Sequence, residues 1–72
     1  MIKIRVGESG VKTYISASTG FFGTGGVRST HSDSSGNAYI DFDDYGPEFS
    51  GEIYVDGECI YKGKISSNGT YD

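Results

Sequence analysis

A chain of 72 residues with twelve glycines, six tyrosines and a net charge of −4 has the length of one small domain. Such a domain buries only about 60% of the surface of its unfolded chain, which leaves little room for a deep catalytic cleft. No apolar run approaches the roughly 18 residues of a membrane span, so we expect no membrane contact. The N-terminus lacks the apolar segment of a signal peptide, which predicts a cytoplasmic chain as written; excision from a larger exported protein is the alternative.

Charge is distributed unevenly along the chain. Residues 1–28 carry four basic side chains and one acidic one, whereas residues 29–61 carry eight acidic side chains and no Lys or Arg. Direct nucleic-acid binding needs clustered cations that displace phosphate counterions, so the acidic segment argues against it. The same segment suits a cation site or a basic protein partner.

The first two predicted strands follow from a side-chain period of two. Apolar residues alternate with polar ones over residues 2–6 and again over residues 11–17. Gly7-Glu8-Ser9-Gly10 between them is typical of a turn, so we expect the two strands to form a hairpin.

The middle of the chain predicts two further strands. Residues 27–32 form a third strand with a weak pattern, and residues 33–37 form a polar turn. A fourth strand over residues 38–43 places Ala38, Ile40 and Phe42 on one face. Residues 44–51 contain the only proline and are predicted to be a loop.

Asp56-Gly57 is the strongest local signal, because a two-residue Asp-Gly loop between apolar runs favours a type I′ hairpin. A fifth strand, in which Ile53 and Val55 alternate with polar residues and Tyr54, precedes this loop. We expect the loop to pair Val55 with Glu58 and Ile53 with Ile60. The sixth strand, residues 58–65, needs a bulge to bring Ile65 to the core, and Gly63 is the predicted position. Residues 66–72 either turn back or fray.

These elements predict an all-β fold in a single domain over residues 1–72. The expected architecture is a small antiparallel sandwich, Ig-like or prealbumin-like, or a partly open barrel of six to seven short strands. No segment carries the period of a helix. The predicted core comprises Ile2, Ile4, Val6, Val11, Ile15, Ala38, Ile40, Phe42, Ile53, Val55 and Ile60.

Aromatic residues supply the first candidate site. Phe21 and Phe22, in a glycine-rich segment that lacks the Lys of a phosphate-binding loop, either close one end of the core or form a partner-binding pair. In the predicted register Tyr54 and Tyr61 lie together on the face opposite the apolar one. Tyrosines suit recognition because they offer a large contact area at low entropic cost, so either a second sheet or a partner covers this face.

Acidic residues supply the second candidate site, which includes Asp41, Asp43 and Asp44. On a strand Asp41 and Asp43 would point the same way, about 7 Å apart. Three interpretations remain: a solvated face, a docking surface for a cationic protein, and a calcium site. The spacing of an EF-hand is absent, so no metal or cofactor is assigned.

The residues give little basis for catalysis, and we expect a protein that is not an enzyme. His31 is the only histidine and Cys59 the only cysteine, so a Cys–His nucleophile pair is the one arrangement of that kind to consider. We expect His31 on the surface and Cys59 as a small, partly buried apolar residue.

Two segments, residues 30–42 and 51–57, resemble the carboxypeptidase-regulatory-like (prealbumin-like) modules. In those sandwiches a Thr followed by Asp-x-x-Gly opens a strand, and a later strand ends near a Gly. The chain departs from them at its start, where the usual Asp-x-x-Gly-x-Pro turn is missing. The resemblance implies an Ig-like sandwich that serves as a non-catalytic accessory or adhesion module.

The leading hypothesis is therefore a non-catalytic binding or accessory module that contacts a protein partner through Tyr54 and Tyr61, with Phe21 and Phe22 as further candidates. The alternative is an acidic inhibitor or decoy that occupies a basic site, such as a nucleic-acid-binding site, on another protein. A second alternative is a calcium-stabilised structural module. The identity of the partner and the oligomeric state stay open.

Overall fold

The computed structural model describes residues 1–18 and 26–72, which form two β-sheets with an apolar core between them. The predicted all-β, two-sheet fold is confirmed. No helix in these residues is long and apolar enough to cross a membrane. The strands are β1 (Ile2–Arg5), β2 (Lys12–Ala17), β3 (Gly26–His31), β4 (Asn37–Ile40), β5 (Glu48–Val55), β6 (Glu58–Ser66) and β7 (Thr70–Tyr71).

The strand order is β4-β1-β7 in one sheet and β3-β2-β5-β6 in the other. All pairs are antiparallel except β1 with β7, which run parallel. Residues 66–72 thus turn back and add an edge strand to the smaller sheet.

The predicted β1–β2 hairpin is wrong, because these strands belong to different sheets. The connection between them crosses the sandwich and bonds to the polar turn that precedes β4. Gly7 donates its N–H to the carbonyl of Gly36 at 2.9 Å, and Gly10 donates to Ser32 at 2.9 Å. The alternation of apolar and polar residues shows which side chains face the core. The same alternation occurs whether two strands pair in one sheet or lie in two facing sheets, so it does not show which strands pair.

The core lies between the sheets and contains most of the predicted residues. Val6 and Val55 are partly buried against it, and Val11 is also half-buried. The predicted burial of Ile60 in the core is wrong, since 37% of its surface is exposed. Phe49 was missed because the predicted loop over residues 44–51 is wrong: β5 already begins at Glu48. The buried apolar residues are Ile2, Ile4, Ile15, Ala17, Ala38, Ile40, Phe42, Phe49, Ile53 and Ile65.

A bulge in β6 explains the exposure of Ile60. Asp56 and Gly57 have positive φ values of 52° and 81°, as the predicted hairpin requires. Val55 pairs with Glu58 as predicted, but Ile53 pairs with Tyr61, so Ile60 is the extra residue. The bulge therefore lies three residues before the predicted position at Gly63, and beyond it Ile65 reaches the core.

The fourth strand ends at Ile40, earlier than predicted. Asp43–Tyr45 form a 3₁₀ turn, and a side-chain oxygen of Asp41 accepts the backbone N–H of Asp43 at 2.9 Å. Asp41 and Asp43 are therefore not successive outward residues of one strand, and the predicted placement of both side chains on a strand is wrong.

Candidate functional site

The solvent-facing side of the four-stranded sheet, which we name the outer face, carries a stacked pair of tyrosines. Tyr14 on β2 lies opposite Tyr54 on β5, and their ring centroids are 4.7 Å apart with an interplanar angle of 11°. Both strands are internal to the sheet, so paired strands on either side hold their backbones in place. Ser29 pairs with Tyr14, and Cys59 pairs with Tyr54, which completes a row across all four strands.

The neighbouring row of the outer face adds an apolar residue at the edge. Val27 on β3 is 65% exposed and lies opposite Ser16, which in turn pairs with Glu52. Val27 lies one strand and one row away from Tyr14, so it adds exposed apolar surface at the β3 edge of the outer face. At the β6 edge of the same row, Lys62 pairs with Glu52, and the surface there is charged. The outer face thus combines apolar contact area with polar groups around it.

The hydroxyl of Tyr54 donates a hydrogen bond to a carboxylate oxygen of Glu52 at 2.8 Å. This bond, with a smaller contribution from burial, raises the pKa of Tyr54 to about 12. The phenol therefore stays neutral at physiological pH, and its ring is held against Tyr14. Chemically the pair offers an ordered aromatic contact surface.

Tyr61 does not lie on this face, so the predicted Tyr54–Tyr61 surface is wrong. The bulge at Ile60 inverts the alternation of side chains and turns Tyr61 towards the interior. There it packs against the core, with its ring centroid 4.8 Å from that of Tyr71 and its hydroxyl donating to the carbonyl of Lys64. The other two aromatic candidates, Phe21 and Phe22, lie outside the described residues.

The candidate acids Asp41, Asp43 and Asp44 are exposed, but each has a partner within the molecule. Asp41 accepts the N–H of Asp43, whose carboxylate lies 3.2 Å from the ammonium group of Met1. No group of three or more His, Cys, Asp or Glu side chains in residues 1–18 and 26–72 lies close enough to hold a metal ion.

Asp44 makes the best-defined ion pair on this side. Its two carboxylate oxygens accept hydrogen bonds from Arg28 at 2.6 and 2.7 Å, and these bonds lower the pKa of Asp44 and raise that of Arg28. The guanidinium carbon of Arg28 lies 4.6 Å from the ring centroid of Phe42, which is fully buried. Arg28 thereby links β3, an edge strand of the four-stranded sheet, to the segment that follows β4 of the other sheet.

His31 and Cys59 are not brought together. They lie on β3 and β6, the two edges of the four-stranded sheet, with two strands between them. Three strand spacings alone place their backbones at least about 14 Å apart. Cys59 is exposed rather than partly buried as expected.

Tyr14 and Val27 also lie on the outer face, although neither was among the predicted site residues. The outward direction of Tyr14 was readable, because it alternates with Thr13 and Ile15. Its position opposite Tyr54 was not, since that depends on the long-range pairing of β2 with β5. The chain matches no protein-family model, and searches of curated proteins and of solved structures find no significant similarity.

Proposed function

We propose that this chain is a small non-catalytic β-sandwich module that binds a protein partner through its outer face, centred on Tyr14 and Tyr54. The observation that carries the proposal is the ordered stack of these two rings, 4.7 Å apart, on the same face as the exposed Val27. Aromatic side chains dominate the energetics of many interfaces. The resemblance to prealbumin-like modules, which implies an accessory or adhesion role, agrees with this proposal.

Preorganisation supports the outer face as the binding surface. Tyr14 and Tyr54 stand on internal strands, and Tyr54 is further held by Glu52. Side chains that are already ordered lose less entropy on binding, so more of the contact energy contributes to affinity. Both tyrosines are half-buried, which leaves part of each available for contact.

The acidic inhibitor or decoy is the second candidate. Its basis is the acidic segment over residues 29–61, but Arg28 already neutralises Asp44, and the ammonium group of Met1 contacts Asp43. These pairs reduce the free negative charge that a basic partner would meet. The outer face therefore has the stronger physical support.

Affinity capture from cell extract, quantified by mass spectrometry, tests the proposal. The baits are the wild type, Tyr14→Ser, Tyr54→Ser, and Tyr39→Ser, a control that changes a tyrosine with 45% exposure on the other sheet. We expect wild type and Tyr39→Ser to retain a common partner at low and high salt, and both outer-face variants to lose it. Thermal unfolding verifies that each bait is folded.

Two outcomes would contradict the proposal. A partner that binds Tyr14→Ser and Tyr54→Ser as well as the wild type places the binding site elsewhere. A partner that dissociates at high salt, and fails to bind when Asp41, Asp43 and Asp44 are changed to Asn, identifies the acidic side as the binding surface, since exposed charges are screened beyond about 8 Å at physiological salt.

A further inference from the structure

The two edges of the four-stranded sheet differ in how well they are protected against pairing. β6 contains the bulge at Ile60 and exposes Lys62 and Lys64, which are features that natural edge strands use to prevent association. β3 contains no lysine, proline or bulge, and it pairs with β2 in regular register over six positions. Its one charged side chain, Arg28, points to the inner side of the sheet, where Asp44 neutralises it. Among the described residues, β3 is therefore the less protected of the two edges.

The hydrogen bonds around β3 show which of its backbone groups point outward. Ser32, next to β3, donates its N–H to the carbonyl of Val11 at 3.0 Å, so the even-numbered residues of this segment face β2. The carbonyl of Lys12, the residue paired with His31, accepts the N–H of Asp56 at 2.9 Å and so points towards β5. Lys12 and His31 therefore do not bond to each other through their backbones. The odd residues Val27, Ser29 and His31 therefore direct their N–H and C=O groups away from the sheet.

These outward groups have no hydrogen-bond partner within the described part of the chain. Val27, Ser29 and His31 are also all exposed. Three consecutive outward residues give the edge a set of donors and acceptors that another strand can satisfy.

We propose that β3 is a pairing edge for a second copy of this chain, with the two strands antiparallel about a two-fold axis at Ser29. Ser29 then faces Ser29 of the second copy, Val27 faces His31, and Arg28 faces Thr30. Each outward residue gives one hydrogen bond to the other copy and receives one.

The charges on β3 suit this self-pairing. β3 contains one residue of the types Lys, Arg, Asp and Glu, which is Arg28, and Asp44 of the same copy neutralises its charge. Like charges directly opposite each other would destabilise the pair of strands, and this register places none there. The small serine at the axis lets the two backbones approach, and two facing serines can hydrogen-bond to one another.

The dimer does not depend on the proposed function, but it extends the outer face. Because Ser29 belongs to the same row as Tyr14 and Tyr54, the row continues through the axis into the second copy. Three strand spacings separate the two copies of Tyr14, about 14 Å. Both tyrosine stacks then lie on the same side of one eight-stranded sheet.

Sedimentation velocity over a range of concentrations tests the dimer. The proteins are the wild type, Ser29→Lys, Ser29→Glu, an equimolar mixture of these two variants, and the control Ser34→Lys, which adds the same charge in an exposed turn. We expect wild type and control to reach twice the 7.7 kDa of the chain. Each Ser29 variant alone should dimerise at least about tenfold more weakly, because like charges meet at the axis, and the mixture should dimerise again.

Restored dimerisation in the mixture is specific to this register, since it requires position 29 of one copy to face position 29 of the other. Ser29→Pro is the second variant: it removes an outward N–H and no bond within the sheet, so it should be folded and monomeric. A wild type that stays monomeric up to about 1 mM overturns the proposal. Dimerisation of Ser29→Lys and Ser29→Pro equal to that of the control overturns it as well.

Discussion

Ile65 and Ile60 form a matched pair for testing the bulge in β6. They are the same residue type on one strand, yet Ile65 is fully buried and Ile60 is 37% exposed. Replacing a buried Ile by Ala costs about 2–5 kcal/mol, because apolar contacts are lost and a cavity is left. An exposed substitution usually changes stability by about 0.5 kcal/mol or less. The loss of a β-branched residue from a strand affects both variants and largely cancels in the comparison.

The effect of Ile65→Ala is large for a domain of 72 residues. At 0.05–0.15 kcal/mol per residue, the whole domain has about 4–11 kcal/mol of stability. A loss of about 3 kcal/mol should lower the thermal midpoint by about 12–24 °C, since each kcal/mol corresponds to 4–8 °C at this size. Ile60→Ala should stay within a few degrees of the wild type.

Circular dichroism during thermal and urea unfolding measures both variants. The urea midpoint should fall for Ile65→Ala at an unchanged m-value, which would show that stability alone has changed. Equal losses for the two variants, or a larger loss for Ile60→Ala, would refute the bulge at Ile60 and return Ile60 to the core.

Two predictions concern titrating groups. Tyr54 has its pKa raised from 10.0 to about 12 in the folded protein, so its contribution to stability is fully present below pH 10 and is lost as the pH rises towards about 12. Ultraviolet titration should show a tyrosine that titrates near pH 12 and is absent from Tyr54→Phe; an unchanged titration would contradict the bond to Glu52. Asp44 has a lowered pKa, so the stability it contributes is present above the usual value of 3.8 and is lost as the pH falls through the folded-state pKa. Asp44→Asn should therefore melt below the wild type at neutral pH and together with it in acid, whereas a constant difference would argue against the pair with Arg28.

Much of the fold was readable from local patterns. Alternation correctly placed Ile2, Ile4 and Ile53 in the core, and Asp56-Gly57 correctly predicted a turn with two positive φ values. Both signals depend on a few neighbouring residues, which is why a single sequence is enough to read them. The outward direction of Tyr54 and the pairing of Val55 with Glu58 followed from the same hairpin.

Only the tertiary structure decided which strands pair and where the alternation breaks. The assignment of β1 and β2 to different sheets depends on contacts with β4, β5 and β7, which no local pattern encodes. The bulge at Ile60 depends on which register best fills the core, and one inserted residue moved Tyr61 inward and left Tyr54 outward. The sequence by itself therefore determined the strands and most of their buried faces, because side-chain alternation is a local property. The pairing of Tyr14 with Tyr54 required the folded sheet, because register is set by packing between distant segments.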